Sequence, residues 1–376
     1  MRHLLIVGVA AVSSLCHVAS TSSNQDFAGM VTTNVASAPF TGQEKPSAGS
    51  KVGDLDLKSI DIVAFSSRMI AAARAIESRR EDRLFNDPFA ELLAGPEAMQ
   101  KVADRQPQTT DPQRSDADRD RSVESVDETA EREKGPSSSS RRLAIRTRFC
   151  DDYFENCAGA RGIKQIVSLG AGMDTRGLRL NAPKDATVFD VDQAQVLRVK
   201  KGLLMKARAD GTSLEGREEG ASRARIVGVE ADLSQIGWEG ELFEAGFDPA
   251  LPSAWILEGL TMYLEEKELV RLIEVLAGLC TPGSAFCATC VSSGSVARGK
   301  SGSQLMSTWK WGSDDPQSFF DARFPAGWSF KSVTCGTPGQ FPTGADYSVG
   351  FQGKGPAYVI GYSSGKGSSS SQSDEL

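Results

Sequence analysis

The stretch Gln165-Ile-Val-Ser-Leu-Gly170-Ala-Gly172-Met-Asp174-Thr-Arg176 decides how the rest of the chain is read. Gln165 to Leu169 is a short apolar run of the kind that forms a strand buried on both faces. It is closed at once by Gly170-Ala171-Gly172, which lets the backbone turn sharply and approach a ligand. Strands of the same character recur downstream at Thr187 to Val191, Ala224 to Val229, Ala254 to Leu257 and 285 to 291. Weaker strand patterns follow at Ser329 to Val333 and Tyr358 to Tyr362, completing seven. An amphipathic helix at Glu265 to Leu279 separates two of them, and Pro282-Gly283 turns the chain between helix and strand. Strands alternating with helices indicate an α/β fold with a mainly parallel, doubly wound sheet covered on both faces.

In such a sheet a ligand sits at the carboxyl ends of the strands, where strand order switches. An acidic residue closing the second strand is then expected to hold ribose hydroxyls. Asp192 lies 22 residues after Gly170, the expected spacing, and Asp190 is the alternate acid. A dinucleotide would need a third glycine near position 175 to allow close packing beneath the pyrophosphate. Thr175 stands there, and Asp174 adds negative charge where a pyrophosphate would lie. A nicotinamide-dependent oxidoreductase is thereby disfavoured, while a nucleoside with a zwitterionic amino-acid end remains acceptable.

Upstream, Ile62, Phe65, Met69, Ile70 and Ala73 recur at helical spacing from about Ile60. A second short helix, Pro88 to Leu93, is expected to stop at Gly95-Pro96, and Leu143 to Cys157 reads as a third. Residues 101–140 carry 17 charges, seven basic and ten acidic, with no aromatic residue and the run Ser137 to Ser140. That composition buries too little apolar surface to offset its ordering entropy, so a disordered insertion is expected.

The ends of the chain carry targeting signals. Arg2 and His3 precede an apolar stretch, Leu4 to Val12, too short to span a bilayer, with Val18 and Ser20 at a cleavage-like position. Residues 1–20 are therefore expected to be a signal peptide and 21–58 a disordered or transit-like segment. The Gly/Ser-rich tail 363–376 ends in Ser373-Asp-Glu-Leu376, which resembles an ER-retention tetrapeptide. Two addresses stay open, the ER lumen and a plastid reached by signal plus transit segment.

Composition narrows the chemistry. A net charge of −7 argues against a general nucleic-acid binder, which needs a surplus of Lys and Arg. No further apolar run is long enough to cross a membrane. Of seven cysteines, Cys287 and Cys290 form a C-x-x-C, but within a strand residues three apart face opposite ways, so buried structural thiols are expected. The only histidines are His3 and His17, both within the expected signal peptide. The mature chain would then have no His general base, no His metal ligand and no Ser-His-Asp triad.

Six blocks in order make the sequence recognisable. They are Arg68-Met-Ile-Ala-Ala-Ala-Arg74-Ala-Ile-Glu77-Ser, Leu84-Phe-Asn-Asp87-Pro-Phe-Ala-Glu91-Leu-Leu-Ala-Gly, Ala144-Ile-Arg146-Thr-Arg148-Phe, Leu169-Gly-Ala-Gly-Met-Asp-Thr-Arg176, Phe189-Asp-Val-Asp192-Gln and Ile256-Leu-Glu258-Gly-Leu-Thr-Met-Tyr263-Leu. Together they resemble the leucine carboxyl methyltransferase-like family, in particular its bacterial-type O-methyltransferases dependent on S-adenosylmethionine (SAM). The resemblance covers about residues 60 to 362, apart from the insertion. It implies a Rossmann-like methyltransferase domain over 59–362, with a seven-stranded, mainly parallel sheet and an N-terminal helical cover.

By this resemblance Arg146 pairs with the carboxylate of the SAM methionine moiety, Arg148 being the alternative. Gly170 and Gly172 admit the methionine backbone, and Asp192 takes the ribose. Asp232 and Leu233 hold the adenine. Glu258 contacts the SAM amino group or borders the methyl, and Tyr263 stands on the substrate side; these two are the catalytic candidates. Arg148 also reads as a surface ion pair, and Tyr263 as core packing. Methyl transfer from a sulfonium mostly requires alignment of the reactants. A carboxylate acceptor is already ionised at neutral pH, so the lack of histidine favours carboxyl methylation of a small metabolite or peptide terminus. No metal is called for. A non-catalytic binding protein on the same fold is the rival from a different class.

Overall fold

A computed structural model describes residues 62–104, 138–209, 224–300, 305–334 and 356–364. The expected signal peptide, the transit-like segment, residues 105–137 of the expected insertion and the tail from residue 365 lie outside the described residues.

The sheet explains itself from residue alternation. Its strands are β1 (Gln165–Leu169), β2 (Thr187–Asp192), β3 (Arg225–Glu230), β4 (Ser253–Leu257), β5 (Ala285–Cys290), β6 (Trp328–Thr334) and β7 (Ala357–Ser363). Val167, Leu169, Phe189, Val191, Trp255, Leu257, Phe286 and Cys290 point into one buried cluster. Their neighbours Ile166, Val188, Ala254, Ile256, Ala285 and Cys287 point into another on the opposite face. Both faces are apolar because both are covered, which is why β1, β4 and β5 are buried at every position.

Helix α3 (Ser138–Glu155) covers the second face with Ile145, Phe149, Tyr153 and Phe154. The first face receives Leu269, Leu272, Ile273 and Leu276 from α7 (Glu266–Leu279). In chain order the remaining helices are α1 (Ile62–Ser78), α2 (Ala90–Ala103), α4 (Arg176–Arg179), α5 (Ala194–Ala209), α6 (Glu239–Glu244), α8 (Ser293–Gly299) and α9 (Pro316–Asp321).

Strand order is β3-β2-β1-β4-β5-β7-β6, with β7 antiparallel to both neighbours and the other pairings parallel. Order reverses between β1 and β4, so a crevice opens beyond their carboxyl ends. All seven strands expected from the sequence are present, and the fold is the α/β, mainly parallel one.

Two helix boundaries differ from expectation. The second helix does break at Gly95 (φ 67°, ψ 169°), but a new helical run starts at Pro96 and continues to Ala103. Proline suits a first helical turn, where its missing N–H is not needed, so the Gly-Pro pair both stops and restarts the helix. Helix α3 starts at Ser138 rather than Leu143 and passes at Asn156 into a π turn ending at Ala160. Both ends of the charged segment 101–140 are therefore helical, a correction to its expected disorder throughout.

Helices α1, α2 and α5 form a third apolar cluster through Met69, Ala72, Phe89, Leu93, Val196 and Val199, joined by Met173 of the glycine loop. This packing seats the N-terminal cover directly over the end of β1.

Candidate active site

One cavity of about 490 Å³ lies at the carboxyl ends of β1, β2, β3 and β4. Arg146, Gly170, Gly172, Asp192, Asp232, Leu233, Glu258 and Tyr263, drawn from five separate sequence segments, all line it. Arg148 and Asp190, the alternates, are not in its wall. Arg148 pairs with Asp152 one helical turn away at 2.6 Å, and Asp190 pairs with Lys200 at 2.7 Å.

The glycine loop is shaped by its neighbours as well as by its turn. Gly170 (φ 66°) and Gly172 (φ 50°) both occupy the left-handed region that disfavours side chains. A Cβ on Gly172 would come within 2.8 Å of Ser67 Cβ on the cover helix. One on Gly170 would meet Leu260 Cδ1 at 3.0 Å. The N–H groups of Gly170 and Ala171 donate to Val191 O at 2.9 and 3.1 Å, and this ties the loop to the end of β2. The expectation that these glycines serve close ligand approach is thus incomplete, because protein contacts alone demand them. The glycine missing at position 175 also has a counterpart two residues on: a Cβ at Gly177 would touch Ile226 at 3.0 Å.

Asp192 ends β2 and fixes the same loop. Its Oδ2 accepts the Gly172 N–H at 2.6 Å and its Oδ1 accepts the Gln193 N–H at 2.7 Å. Burial pushes its carboxyl up despite these two bonds. Each oxygen keeps a further lone pair for a hydroxyl. Asp232 orders the turn after β3 through Ser234 N and Oγ, at 3.0 and 2.7 Å, and Leu233 beside it is buried.

Glu258 follows β4 and is held by two arginines. Arg146 Nε donates to its Oε1 at 2.9 Å, and Arg176 Nη2 pairs with its Oε2 at 2.7 Å. Burial would raise its carboxyl, but Arg176 and then Arg146 more than offset this and leave it below the ordinary glutamate range. The turn that follows is anchored to β5, where Gly259 N donates to Thr289 Oγ1 at 2.8 Å and Thr261 Oγ1 to Thr289 O at 3.0 Å. Tyr263 sits in that turn, partly buried against Met262, Val291 and Val296 along with Trp309. It is both cavity wall and packing.

Sequence reasoning missed the charged layer at the cavity floor, where Arg74, Asp174, Arg176 and Arg179 line the wall and Asp87 and Asp151 pair with them. Arg74 Nε donates to Asp87 Oδ2 at 2.8 Å, Thr175 Oγ1 to the same oxygen at 2.7 Å, and Arg179 approaches it at 3.8 Å. Arg179 and Arg176 share Asp151 Oδ1 at 2.6 and 2.9 Å, and Arg176 Nη1 donates to Asp174 Oδ2 at 3.0 Å. Asp174 therefore carries a charge already matched by Arg176; burial opposes ionisation, yet Arg176 and Lys200 hold its carboxyl far below the usual range. Arg74, Asp87, Asp174 and Arg176 stand in the recognisable blocks, where charge amid apolar residues is a legible signal. Asp151 and Arg179 carry none. Leu305, Thr308, Trp309 and Lys310, which complete the cavity wall, also lie outside every motif.

Cys287 and Cys290 are buried in opposite clusters, as strand alternation requires. Burial raises the Cys290 thiol to about 12, the value of an inert side chain. Among the described residues no group of three or more His, Cys, Asp or Glu could hold a metal ion, and no helix is long and apolar enough to cross a membrane.

Residues 67–277 match the family model described as leucine carboxyl methyltransferase. A Mycolicibacterium smegmatis protein, provisionally named an S-adenosyl-L-methionine-dependent methyltransferase, is 39% identical over 219 residues, covering 57% of this chain and 59% of that protein. A similarly named Streptomyces avermitilis protein is 32% identical over 260 residues, covering 69% of this chain and 78% of that one. The chain spans 59% and 64% of the length of the first two relatives it matches. A crystal structure of a DUF574 family protein from Streptomyces avermitilis aligns with a TM-score of 0.45 and 13% identity, over 82% of this chain and 99% of that one, a likeness too loose to argue from. With more than half of its length under the family model, this chain belongs to the leucine carboxyl methyltransferase family.

Proposed function

We propose that this protein is a SAM-dependent O-methyltransferase that methylates a carboxylate of a small metabolite or a peptide terminus. The observation that carries the reading is that one cavity presents Asp192 at the end of β2 and the Arg146–Glu258 pair beside β4. A carboxylate suits vicinal ribose hydroxyls, and an arginine beside an ionised glutamate suits the carboxylate and ammonium of an amino acid. Leu233 offers an apolar wall for adenine. The donor set therefore fits SAM, and the names of the relatives point the same way.

Bound SAM supplies a sulfonium methyl open to in-line displacement. The protein's task is alignment and exclusion of water, since an ionised acceptor brings its own electron pair and no proton is exchanged. Two acidic groups in the wall, Glu258 and Asp174, are poorly suited to act as a base, Glu258 held ionised by Arg176 and Arg146 and Asp174 by Arg176. Asp192, whose carboxyl burial raises, has both oxygens engaged by backbone N–H groups. That favours a carboxylate over an alcohol, whose proton needs an acceptor. Glu258 then reads the ammonium of SAM, and Tyr263, Met262 and Trp309 form the acceptor side.

Calorimetry with SAM, followed by transfer of its radiolabelled methyl into a metabolite extract, tests this. Binding, with label released as methanol by mild base, is the expected result, because carboxyl methyl esters hydrolyse readily. Binding without transfer would support a non-catalytic binding protein. Base-stable label would point to another acceptor, and absence of SAM binding would remove the proposal.

A further inference from the structure

Arg176 opens helix α4 with its side chain only 4% exposed, and each of its nitrogens has a partner. Nε donates to Asp151 Oδ1 at 2.9 Å and Nη1 to Asp174 Oδ2 at 3.0 Å. Nη2 is shared by Thr147 O at 3.3 Å and Glu258 Oε2 at 2.7 Å. A planar guanidinium anchored at three corners cannot rotate without losing several charged hydrogen bonds at once. Arg146 differs: its side chain is 16% exposed, and Glu258 is its one ion-pair partner among the described residues. One carboxylate is thus bracketed by an immobile inner arginine and a more exposed outer one.

From this geometry we infer that Arg176 is a positioning residue for the amino-acid end of the cofactor, keeping Glu258 fixed and anionic when Arg146 turns to the ligand. The inference rests on the cofactor reading above. Before binding, Arg146 and Glu258 satisfy each other. A zwitterionic amino acid exchanges that single pair for two, carboxylate to Arg146 and ammonium to Glu258. Released by Arg146 and lacking Arg176, the buried glutamate would keep only the weaker pull of Arg74 against burial and Asp174, and would take up a proton more readily and lose the ammonium. The inner arginine prevents this.

The charged and titratable groups facing Glu258 are Arg176 from α4, Arg146 and Cys150 from α3, Asp174 from the glycine loop and Arg74 from α1. Without Arg176, burial and Asp174 both push the Glu258 carboxyl up, opposed by Arg146 and Arg74. Affinity for an ammonium-bearing ligand should then fall as pH falls.

The test compares S-adenosylhomocysteine, which has the amino-acid end, with 5′-methylthioadenosine, which lacks it. Binding to the full chain is measured by calorimetry from about pH 5.5 to 8.5, alongside circular dichroism. Arg176→Gln is expected to weaken S-adenosylhomocysteine more than about tenfold, the loss growing toward low pH. Methylthioadenosine should stay within about twofold of wild type. Arg176→Lys should restore much of the pH independence by returning the charge. Glu258→Gln should bind S-adenosylhomocysteine weakly at every pH, since nothing is left to titrate.

Equal weakening of both ligands in Arg176→Gln, or loss that does not vary with pH, would overturn the inference and leave Arg176 a structural residue. Should Arg176→Gln fail to fold, an unchanged preference between the two ligands in Glu258→Gln would overturn it equally. A wild-type chain that binds neither nucleoside would instead defeat the cofactor reading itself.

Discussion

The backbone N–H of Gly172 donates to Asp192 Oδ2 at 2.6 Å, which locks the turn after β1 to the residue that ends β2. One carboxylate thereby shapes the loop and faces the cavity. Asp192→Ala removes both functions and should lower SAM affinity by more than about tenfold, as expected for loss of charged hydrogen bonds. Asp192→Asn keeps an acceptor for the Gly172 N–H and should lose less. Calorimetry on both variants checks the ordering, and near wild-type binding by Asp192→Ala would remove the ribose assignment.

Arg146 and Arg148 lie two residues apart, yet only Arg146 lines the cavity. Arg148 bonds Asp152 and the Leu84 carbonyl instead. Arg146→Ala should weaken SAM by about tenfold or more, and Arg148→Ala should leave its dissociation constant within about twofold. The reverse pattern in a titration would exchange the two roles.

Gly172→Ala combines a left-handed backbone with a Cβ 2.8 Å from Ser67 Cβ. Strain and overpacking together should cost roughly 1–3 kcal/mol and displace the cover helix from the loop. Urea unfolding would show a lower midpoint, and SAM binding should weaken in parallel. A variant as stable as wild type would mean that the cover helix yields freely.

Asp87 is buried with Arg74 and Thr175 bonded to one of its oxygens. Burial alone would raise its carboxyl, but Arg74 and Arg179 hold it below the usual aspartate range, and Arg176 and Lys200 hold Asp174 below it as well. A depressed folded-state pKa contributes stability that is present above the unfolded value, near 4, and is lost as pH falls through the folded value. Unfolding free energy should therefore decline with acidification below about pH 4. Asp87→Ala should cost roughly 3–5 kcal/mol at neutral pH by stranding Arg74, and should flatten that acid limb. Denaturant melts at pH 3 to 7 would reveal a limb that stays unchanged if the pair matters little.

Tyr263→Phe keeps the ring packed against Met262, Val291 and Val296 while removing the hydroxyl. If Tyr263 serves the acceptor side, KM for the acceptor should rise with SAM affinity unchanged. Movement of the SAM dissociation constant instead would place the hydroxyl on the cofactor side.

The parts of this protein legible in the sequence are those encoded locally. Two-residue alternation fixed the strands: Val167 and Leu169 face one cluster and Ile166 the other, as their spacing demands. Gly170, Gly172 and Asp192 were legible for the same reason, since a strand end, a turn and the next strand end lie within 28 residues, from Gln165 to Asp192. Helix ends were less so. Gly95-Pro96 stops one helix and starts another, and only packing of Leu93, Ala94 and Ala98 against α1 and α5 selects that outcome.

Tertiary structure alone decided how charge is distributed around the cavity. Arg74 and Asp87 are 13 residues apart, Arg176 and Asp151 25, and Arg146 and Glu258 112. No periodicity links such positions, because each pair forms only where two separately folded elements exclude water between them. A short-range pattern of apolar and small residues therefore dictated the sheet and the place of its crevice. That Glu258 is bracketed by Arg146 and Arg176 follows only from how the packed elements bring those arginines to it.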